Sequence, residues 1–372
     1  MSYLKRDSGM PEYNPKNELV KKQYEEALIH GKYRDPKTVQ AVWNNINLFE
    51  DFTDHADFVT FDAEQAKSFK AWLEKQHNRK GDLLSLSTVR STLNNLREFF
   101  EWLAIHPQYV RKVDGRAVPY LRLSDNANRA ARASREKTPP TLDELERALD
   151  AMPTGTEIEK RNCAVFAFMI VTGIRDDALV SLKIKDVDAV QRTVWQDPKH
   201  VRTKRRKGIV TRFMRPIMPR AEDIVLDWIT FTIRSLGMAP NDPLFPKTRV
   251  AVNPATLSFE AQGLDREHWA NAAPVRDVFR DAFEAIGLPY FNPHLIRKTI
   301  CKWALKNCSQ REFKAISQNI GHDHAMTTYN SYGQLSLDEQ LEAIDEIGPS
   351  IGDLHKIPLD EILAEIARRT AN

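Results

Sequence analysis

Four short stretches of this chain carry side chains that can do chemistry on a phosphate. They are "TGIR" ending at Arg175, "HLIR" from His294 to Arg297, "GH" at Gly321–His322, and "TTYNSYG" with Tyr329 and Tyr332. His294 and Arg297 stand three apart, which places them on one face of a helix. Arg175 follows a long apolar run and a helix-ending glycine, Gly173. A guanidinium held rigidly at the end of a buried helix is unfavourable unless it meets an anion. Two arginines and two histidines that converge would form a fork-shaped socket for a phosphate, bound by charge-assisted bidentate bonds. A phenol beside that socket can attack the phosphorus. A free tyrosine has a pKa near 10, so about one part in a thousand is ionised at pH 7, a deficit of roughly 4 kcal/mol. Guanidinium groups next to it favour the phenolate and offset the charge that builds on the phosphorane. His322 and His324 also form an H-x-H pair, but two imidazoles without a third ligand are a poor metal site, and no metal is expected.

These residues need a scaffold, and 372 residues suffice for two domains of ordinary size. With 28% charged and 42% hydrophobic residues the composition is that of a globular chain, without a membrane-length apolar run or a signal-peptide core at the start. Cys163, Cys301 and Cys308 lack C-x-x-C spacing and are expected to be reduced thiols in a cytoplasmic protein. The first forty residues are polar and proline-dotted and suggest a loose arm. "TVQAVWNNINLFEDFT" then places Val42, Ile46, Phe49 and Phe52 on one stripe. "STVRSTLNNLREFFEWLA" does the same with Val89, Leu93, Leu96, Phe100 and Leu103, with Ser87 as its N-cap. A small helical domain follows, since each stripe must be buried against another.

"SDNANRAARASREKTPPT", with Arg129 and Arg132, is expected to be a basic linker. Thr141 and Glu144 then fit a capping box that opens a second domain. In it "CAVFAFMIVTG" predicts a buried central helix ended by Gly173. "RTVWQ", "HVRTK" and "VTRFMRPIM" predict short strands around an "RRKG" turn, and helices resume at "PVRDVFRDAFEAIG", "HLIRKTICKWALK", "REFKAISQNIG" and "SLDEQLEAIDEIG". The expected division is an arm at 1–18, a helical domain at 19–122, a linker at 123–140, a second domain at 141–348 and a helical tail at 349–372. The fold class is mainly α with a small antiparallel β-sheet.

The net charge of +3 conceals an uneven distribution. No acid occurs from Pro198 to Ala221, while Lys199, Arg202, Lys204, Arg205, Arg206, Lys207, Arg212, Arg215 and Arg220 all fall there. Residues 338–372 instead carry nine acids against Lys356, Arg368 and Arg369. Such asymmetry points to one face made for a polyanion.

The ordered set of "TGIR", "HLIR", "IGH" and a following tyrosine, with a basic hairpin between the first two, resembles the tyrosine recombinase (phage integrase) family. The helical segment "LSLSTVRSTLNNLREFFEWL" resembles that family's core-binding domain, so the likeness runs from about residue 20 to 340. The resemblance implies an N-terminal SAM-like helical domain and a mixed α/β catalytic domain of the DNA breaking-rejoining type. It implies that Arg175 and Arg297 clamp the scissile phosphate, that His294 and His322 add hydrogen bonds and assist proton transfer, and that a hairpin lysine protonates the departing 5′-hydroxyl. The nucleophile would be Tyr332, ten positions after His322, rather than Tyr329, and would leave a 3′-phosphotyrosyl bond. Hairpin geometry favours Lys204 as the lysine, with Lys199 and Lys207 as alternatives. Many relatives brace the first arginine with an acid three positions on, where this chain has Ala178; Asp176 and Asp177 are the nearby carboxylates.

Neither metal nor ATP is implied. The implied partner is double-stranded DNA, held by Arg202, Arg205, Arg206, Lys207, Arg129 and Arg132, with a homotetramer assembled on it, associated with the nucleoid and with no membrane. A type IB topoisomerase-like enzyme and a catalytically inactive DNA-binding accessory protein are the competing readings. About six phosphate contacts would make log K fall against log[salt] with a slope of about −5. Replacing Arg205 and Arg206 together should weaken binding to all DNA sequences alike; a titration in which only some sequences are affected would remove them from the backbone contacts.

Overall fold

In the computed structural model, residues 13–132, 138–252 and 258–322 are described, together with helical positions at 340, 341 and 344. The chain divides into two compact units, residues 1–136 and 137–372. In the first, the described residues form helices α1 (Pro15–Glu26), α2 (Pro36–Phe52), α3 (Ala63–Leu73), α4 (Leu86–Ile105) and α5 (Asp125–Arg132). Asn14, Asp35, Asp62 and Ser85 open the first four, each side chain accepting a backbone N–H from the first turn. The cap of α4 is thus Ser85 and not Ser87, which lies in the first turn. The apolar stripe from Val89 onward fits either start, so periodicity alone could not separate them.

Both expected stripes face a core rich in aromatic side chains. Phe61 stacks on Phe100 with ring centroids 3.7 Å apart, and Phe49 meets Phe100 edge-on at 5.2 Å. Two expectations fail here. Helix α1 begins inside the stretch expected to be a loose arm, because Lys21 forms a 2.5 Å ion pair with Glu50 of α2, both side chains almost fully buried. Asn17 donates to the same carboxylate at 3.0 Å and accepts the N–H of Phe58 at 3.1 Å. Charge at that depth is tolerated because it is paired and hydrogen-bonded. The first half of the expected linker is also helical. Ser124 accepts the N–H of Ala127, and alanines and arginines, both good helix formers, carry α5 to Arg132.

The described part of the second unit comprises α6 (Leu142–Ala151), α7 (Glu157–Thr172), α8 (Asp176–Leu179), β1 (Val187–Asp188), β2 (Thr193–Gln196) and β3 (Ile209–Arg212). These are followed by α9 (Pro219–Arg234), β4 (Thr248–Val252), β5 (Phe259–Leu264), α10 (Ala273–Glu284), α11 (His294–Asn307) and α12 (Gln310–Asn319). The Thr141–Glu144 capping box is formed, with bonds of 3.2 and 2.8 Å. Helix α7 is buried on every side from Cys163 to Thr172, with α9, α10 and α11 packed around it. It stops at Gly173, whose φ of +58° is the left-handed conformation that glycine adopts without penalty. Cys163 and Cys301 are free and buried, which pushes their thiols up to about 11 and about 12 and keeps them protonated.

The fold is mainly α with small antiparallel sheets, one of them in the order β1-β2-β3, with Val194 opposite Thr211 and Gln196 opposite Ile209. Two details differ from expectation. "HVRTK" is no strand: residues 197–203 are an irregular, hydrogen-bonded turn and Lys204–Arg206 a short 3₁₀ turn, so the basic segment is a long loop between β2 and β3. A second hairpin, β4–β5, has Val250 paired with Ala261 and went unread in the sequence. Its base is held by Arg161, which donates to the Pro246 carbonyl at 2.9 Å and the Thr248 hydroxyl at 3.0 Å while stacking over Trp269. The expected helices at "SLDEQLEAIDEIG" and in the tail lie largely outside the described residues. No helix among the described residues is long and apolar enough to cross a membrane.

Phe100→Ala should lower the stability of the first unit by about 3–5 kcal/mol, the usual loss for a fully buried phenylalanine. Ile105→Ala, on an exposed side chain, should change it by less than about 0.5 kcal/mol; urea unfolding followed by circular dichroism compares the two.

Candidate active site

Arg297 organises the site. It lies on the first turn of α11, is 1% exposed, and is among the largest fully buried side chains of the chain. One terminal nitrogen donates to the carbonyl of Gly173, at the end of α7. The other donates to the Ile320 carbonyl at 2.8 Å and contacts Nε2 of His322 at 3.3 Å. Arginine can only donate, so Nε2 of His322 accepts and its proton sits on Nδ1. Three stations far apart in sequence are thereby drawn to one guanidinium. Its Nε, also buried, has no hydrogen-bond partner among the described residues.

Helix ends supply the remaining positions. Arg175 stands at the N-cap of α8, two residues past Gly173. His294 begins α11, its backbone N–H accepted by the Asn292 side chain at 2.9 Å. His322 follows the end of α12, its N–H bonded to the Ser317 carbonyl at 3.1 Å. Glycine is required at both flanking turns. A Cβ on Gly173 would come within 2.8 Å of Ile320, and one on Gly321, at φ +80°, within 2.8 Å of Ile209 and 3.6 Å of the Arg175 guanidinium.

Helix α12 is stitched to β3. Asn319 accepts the Arg212 N–H at 2.7 Å and donates to the Arg212 carbonyl at 2.9 Å, while the Thr211 hydroxyl donates to the Asn319 carbonyl at 3.0 Å. This sets the β2–β3 loop beside His322. A cavity of about 280 Å³ lies there, lined by Lys207, Gly208, Ile209, Val210, Gly321 and His322, among others. Lys204 is exposed, and its charge acts on His322.

The electrostatics report the convergence. His322 is pushed down to about 4, first by desolvation and then by the charges of Arg297, Arg175, His294 and Lys204. His294 keeps solvent exposure, yet its pKa is also lowered by desolvation and by Arg297 and Arg175, with Asp176 opposing. Both imidazoles are therefore neutral at pH 7, each with one nitrogen able to accept and one to donate, while the arginines and Lys204 carry the positive charge. Such a constellation can bind a phosphate, offset charge developing on it, and move a proton. No group of three His, Cys, Asp or Glu among the described residues is placed to hold a metal ion.

The structure thus brings Arg175, His294, Arg297 and His322 together, with Lys204 exposed on the adjoining β2–β3 loop. Tyr332, Tyr329 and His324 lie outside the described residues. Asp176 forms an ion pair with Arg276 at 3.2 Å. Arg202, expected on the DNA, instead turns its fork inward to the carbonyls of Ala270 and Trp269 at 2.8 and 2.9 Å. Arg206 and Lys207 are exposed; of the Arg205 and Arg132 side chains nothing is described. In the first unit, Arg129 lines a concavity of about 410 Å³ with Arg90, Arg97, Arg122, Asn94 and Asn128. Arg90, Asn94 and Arg97 went unnoticed in the sequence although their spacing marks one polar face of α4, alongside the apolar stripe.

The sequence model of the phage integrase family matches residues 141–338, which span every station of the site. The chain belongs to the phage integrase family. Its members are tyrosine recombinases, enzymes that break and rejoin DNA strands. The chain is 24% identical over 300 residues to tyrosine recombinase XerC of Halalkalibacterium halodurans, covering 80% of this chain and 86% of that protein. Its fold is similar to that of a lambda integrase dimer bound to a COC′ core site, with a TM-score of 0.57 and 15% identity over 85% of this chain and 95% of that one. A lambda integrase tetramer bound to a Holliday junction gives 0.55 and 14%, covering 83% and 78%.

Because the unfolded chain binds the His322 proton near 6.5 and the folded chain only near 4, acid favours unfolding. Stability should fall as the pH drops from about 6.5 to about 4 and lose no more from this group below that. His322→Asn should flatten that part of the curve in thermal melts taken across the range; an unchanged slope would mean His322 is not held neutral.

Proposed function

We propose that this chain is a site-specific DNA recombinase, an integrase or transposon recombinase, working through a 3′-phosphotyrosyl intermediate. The observation that carries the reading is the meeting of the "TGIR", "HLIR" and "GH" stations on the buried Arg297 guanidinium, which bonds the Gly173 and Ile320 carbonyls and contacts His322. A pocket of fixed positive charge with two neutral imidazoles suits a phosphodiester whose charge grows in the transition state.

In this reading Arg175 and Arg297 hold the non-bridging oxygens of the scissile phosphate. The Tyr332 oxygen bonds to phosphorus as the bond to the 5′-oxygen breaks. The phenolic proton passes to the neutral imidazole of His294, His322 donates a hydrogen bond from Nδ1, and Lys204 supplies the proton taken by the departing 5′-oxygen. Rejoining reverses each transfer with a second 5′-hydroxyl as attacker. Charge, protons and bond count balance without hydrolysis, so the phosphotyrosyl bond conserves the energy that ligation uses. Neighbouring cations offset much of the cost of forming the phenolate.

The partner is double-stranded DNA. In the helical domain, Arg90, Arg122 and Arg129 around the concavity of the first unit suit backbone phosphates, since Asp125 is the single acid lining it. Arg97 is shared with Glu101 at 3.4 Å. Residues 19–122 act as a DNA clamp, 141–348 as the catalytic domain, and four copies assemble on two duplexes, as in the lambda integrase tetramer on its junction. The acidic C-terminal segment, with "LDEILAEIARR", lies outside the described residues and is a candidate for packing on a neighbouring protomer or back on its own subunit.

The test is a suicide substrate, a nicked duplex taken from the flanks of the gene. A covalent protein–DNA adduct should form with the unaltered chain and with Tyr329→Phe, and be absent with Tyr332→Phe. Arg175→Ala or Arg297→Ala should slow adduct formation by about 10²–10³-fold, the usual effect of losing one such donor. Adduct retained by Tyr332→Phe and lost in Tyr329→Phe would move the nucleophile; no adduct at all with intact duplex bound would leave an inactive DNA-binding protein.

A further inference from the structure

The proton donor proposed above sits in the loop 197–208 between β2 and β3, and a lysine on a loose loop would make a poor acid. The chain ahead of Lys204 is anything but loose. At residue 200, Nε2 of His200 lies 2.9 and 2.8 Å from the two carboxylate oxygens of Asp186, which is 4% exposed. A carboxylate only accepts, so Nε2 donates. Asp186 is itself fixed, since it accepts the Lys183 N–H at 2.8 Å and closes the turn Ile184–Asp186 before β1. Val201 is buried in the core. The N–H of Arg202 donates to the Ser181 hydroxyl at 2.9 Å, and its guanidinium holds the Trp269 and Ala270 carbonyls ahead of α10. Three consecutive residues are thus fastened to three separate parts of the unit. The far end is held too, because Gly208 lies so close under Trp195 that a Cβ there would approach the ring to 2.6 Å.

We infer that His200 and Arg202, with Asp186 as their buried support, are positioning residues for Lys204. They fix the loop two residues before the lysine and so hold its ammonium beside His322 and the phosphate socket. The inference rests on the reading of Lys204 as the acid that protonates the leaving 5′-oxygen. A positioned general acid contributes about 10²–10⁴-fold, and a displacement on the order of 1 Å can remove about 10²-fold. Neither His200 nor Arg202 touches the reacting atoms in this scheme. Their effect reaches the chemistry only through the lysine, which separates the idea from a general role in folding.

A leaving group that needs no acid makes the separation measurable. A thiol has a pKa near 8.5 and departs as thiolate, so a nicked substrate with sulfur in place of the bridging 5′-oxygen bypasses the proton donor. With the full-length chain, Lys204→Ala should cleave the oxygen ester about 10²–10⁴-fold more slowly and the sulfur ester at close to the unaltered rate. His200→Ala and Arg202→Ala should show the same pattern, with losses of about 10²-fold or less on oxygen and recovery on sulfur. His200→Gln, which keeps a donor toward Asp186, should cleave both esters normally, and adding His200→Ala to Lys204→Ala should slow the oxygen ester no further. Equal losses on both esters, or none on either, in His200→Ala and Arg202→Ala would overturn the inference while Lys204→Ala still shows recovery on sulfur. Should Lys204→Ala itself fail to recover, the acid lies elsewhere, and the identity of the lysine falls first. If His200→Ala does not fold, Arg202→Ala and Arg202→Lys, at a half-buried position, decide between the same outcomes.

Discussion

A single buried guanidinium ties the catalytic unit together. Arg297 is surrounded by protein, and three of its contacts come from the end of α7, the end of α12 and the imidazole of His322. A charge so placed would oppose folding if it were unpaired. Carbonyl oxygens at two helix C-termini, where backbone acceptors go unused within the helix, provide the compensation. The same contacts that make the charge tolerable also bring the socket together, so the stability of this region and the geometry of the site share one origin.

The depressed pKa values follow from that arrangement. Two arginines and a lysine near two histidines leave the imidazoles uncharged, so the histidines serve as hydrogen-bonding groups and proton carriers rather than as further cations. The two guanidiniums do not give up their protons, so their field at the phosphate stays constant while protons move among the neighbouring groups.

Much of this was legible in the sequence, for identifiable reasons. The buried helix ending at Gly173, the capping box at Thr141 and the stations at Arg175, His294, Arg297 and His322 all rest on local chemistry: a glycine stop, a threonine–glutamate pair, an i, i+3 spacing. What escaped notice depends on partners distant in the chain. The polar stretch around Lys21 could not announce helix α1, because the Glu50 that makes its burial possible lies 29 residues on. Arg202 could not be distinguished from its basic neighbours until the carbonyls it holds, 67 and 68 residues away, were in view. "HVRTK" had strand-forming residues, but His200 was claimed by Asp186, and tertiary contacts overrode propensity. Ser85 against Ser87 was a matter of one turn of helix, which the apolar period does not resolve.

The reciprocal amide bonds between Asn319 and the backbone of Arg212 span 107 positions of sequence. They act as a splice: whatever the chain does in between, its two ends return to a fixed separation. That interval also holds His294, Arg297 and much of the core, so only its solvent-facing hairpin β4–β5, where Val250, Val252 and Phe259 are exposed, can gain or shed length without detuning the chemistry. Elaborations suited to different target sites or different assemblies have a place to accumulate on that hairpin, away from the helices that carry the phosphate socket.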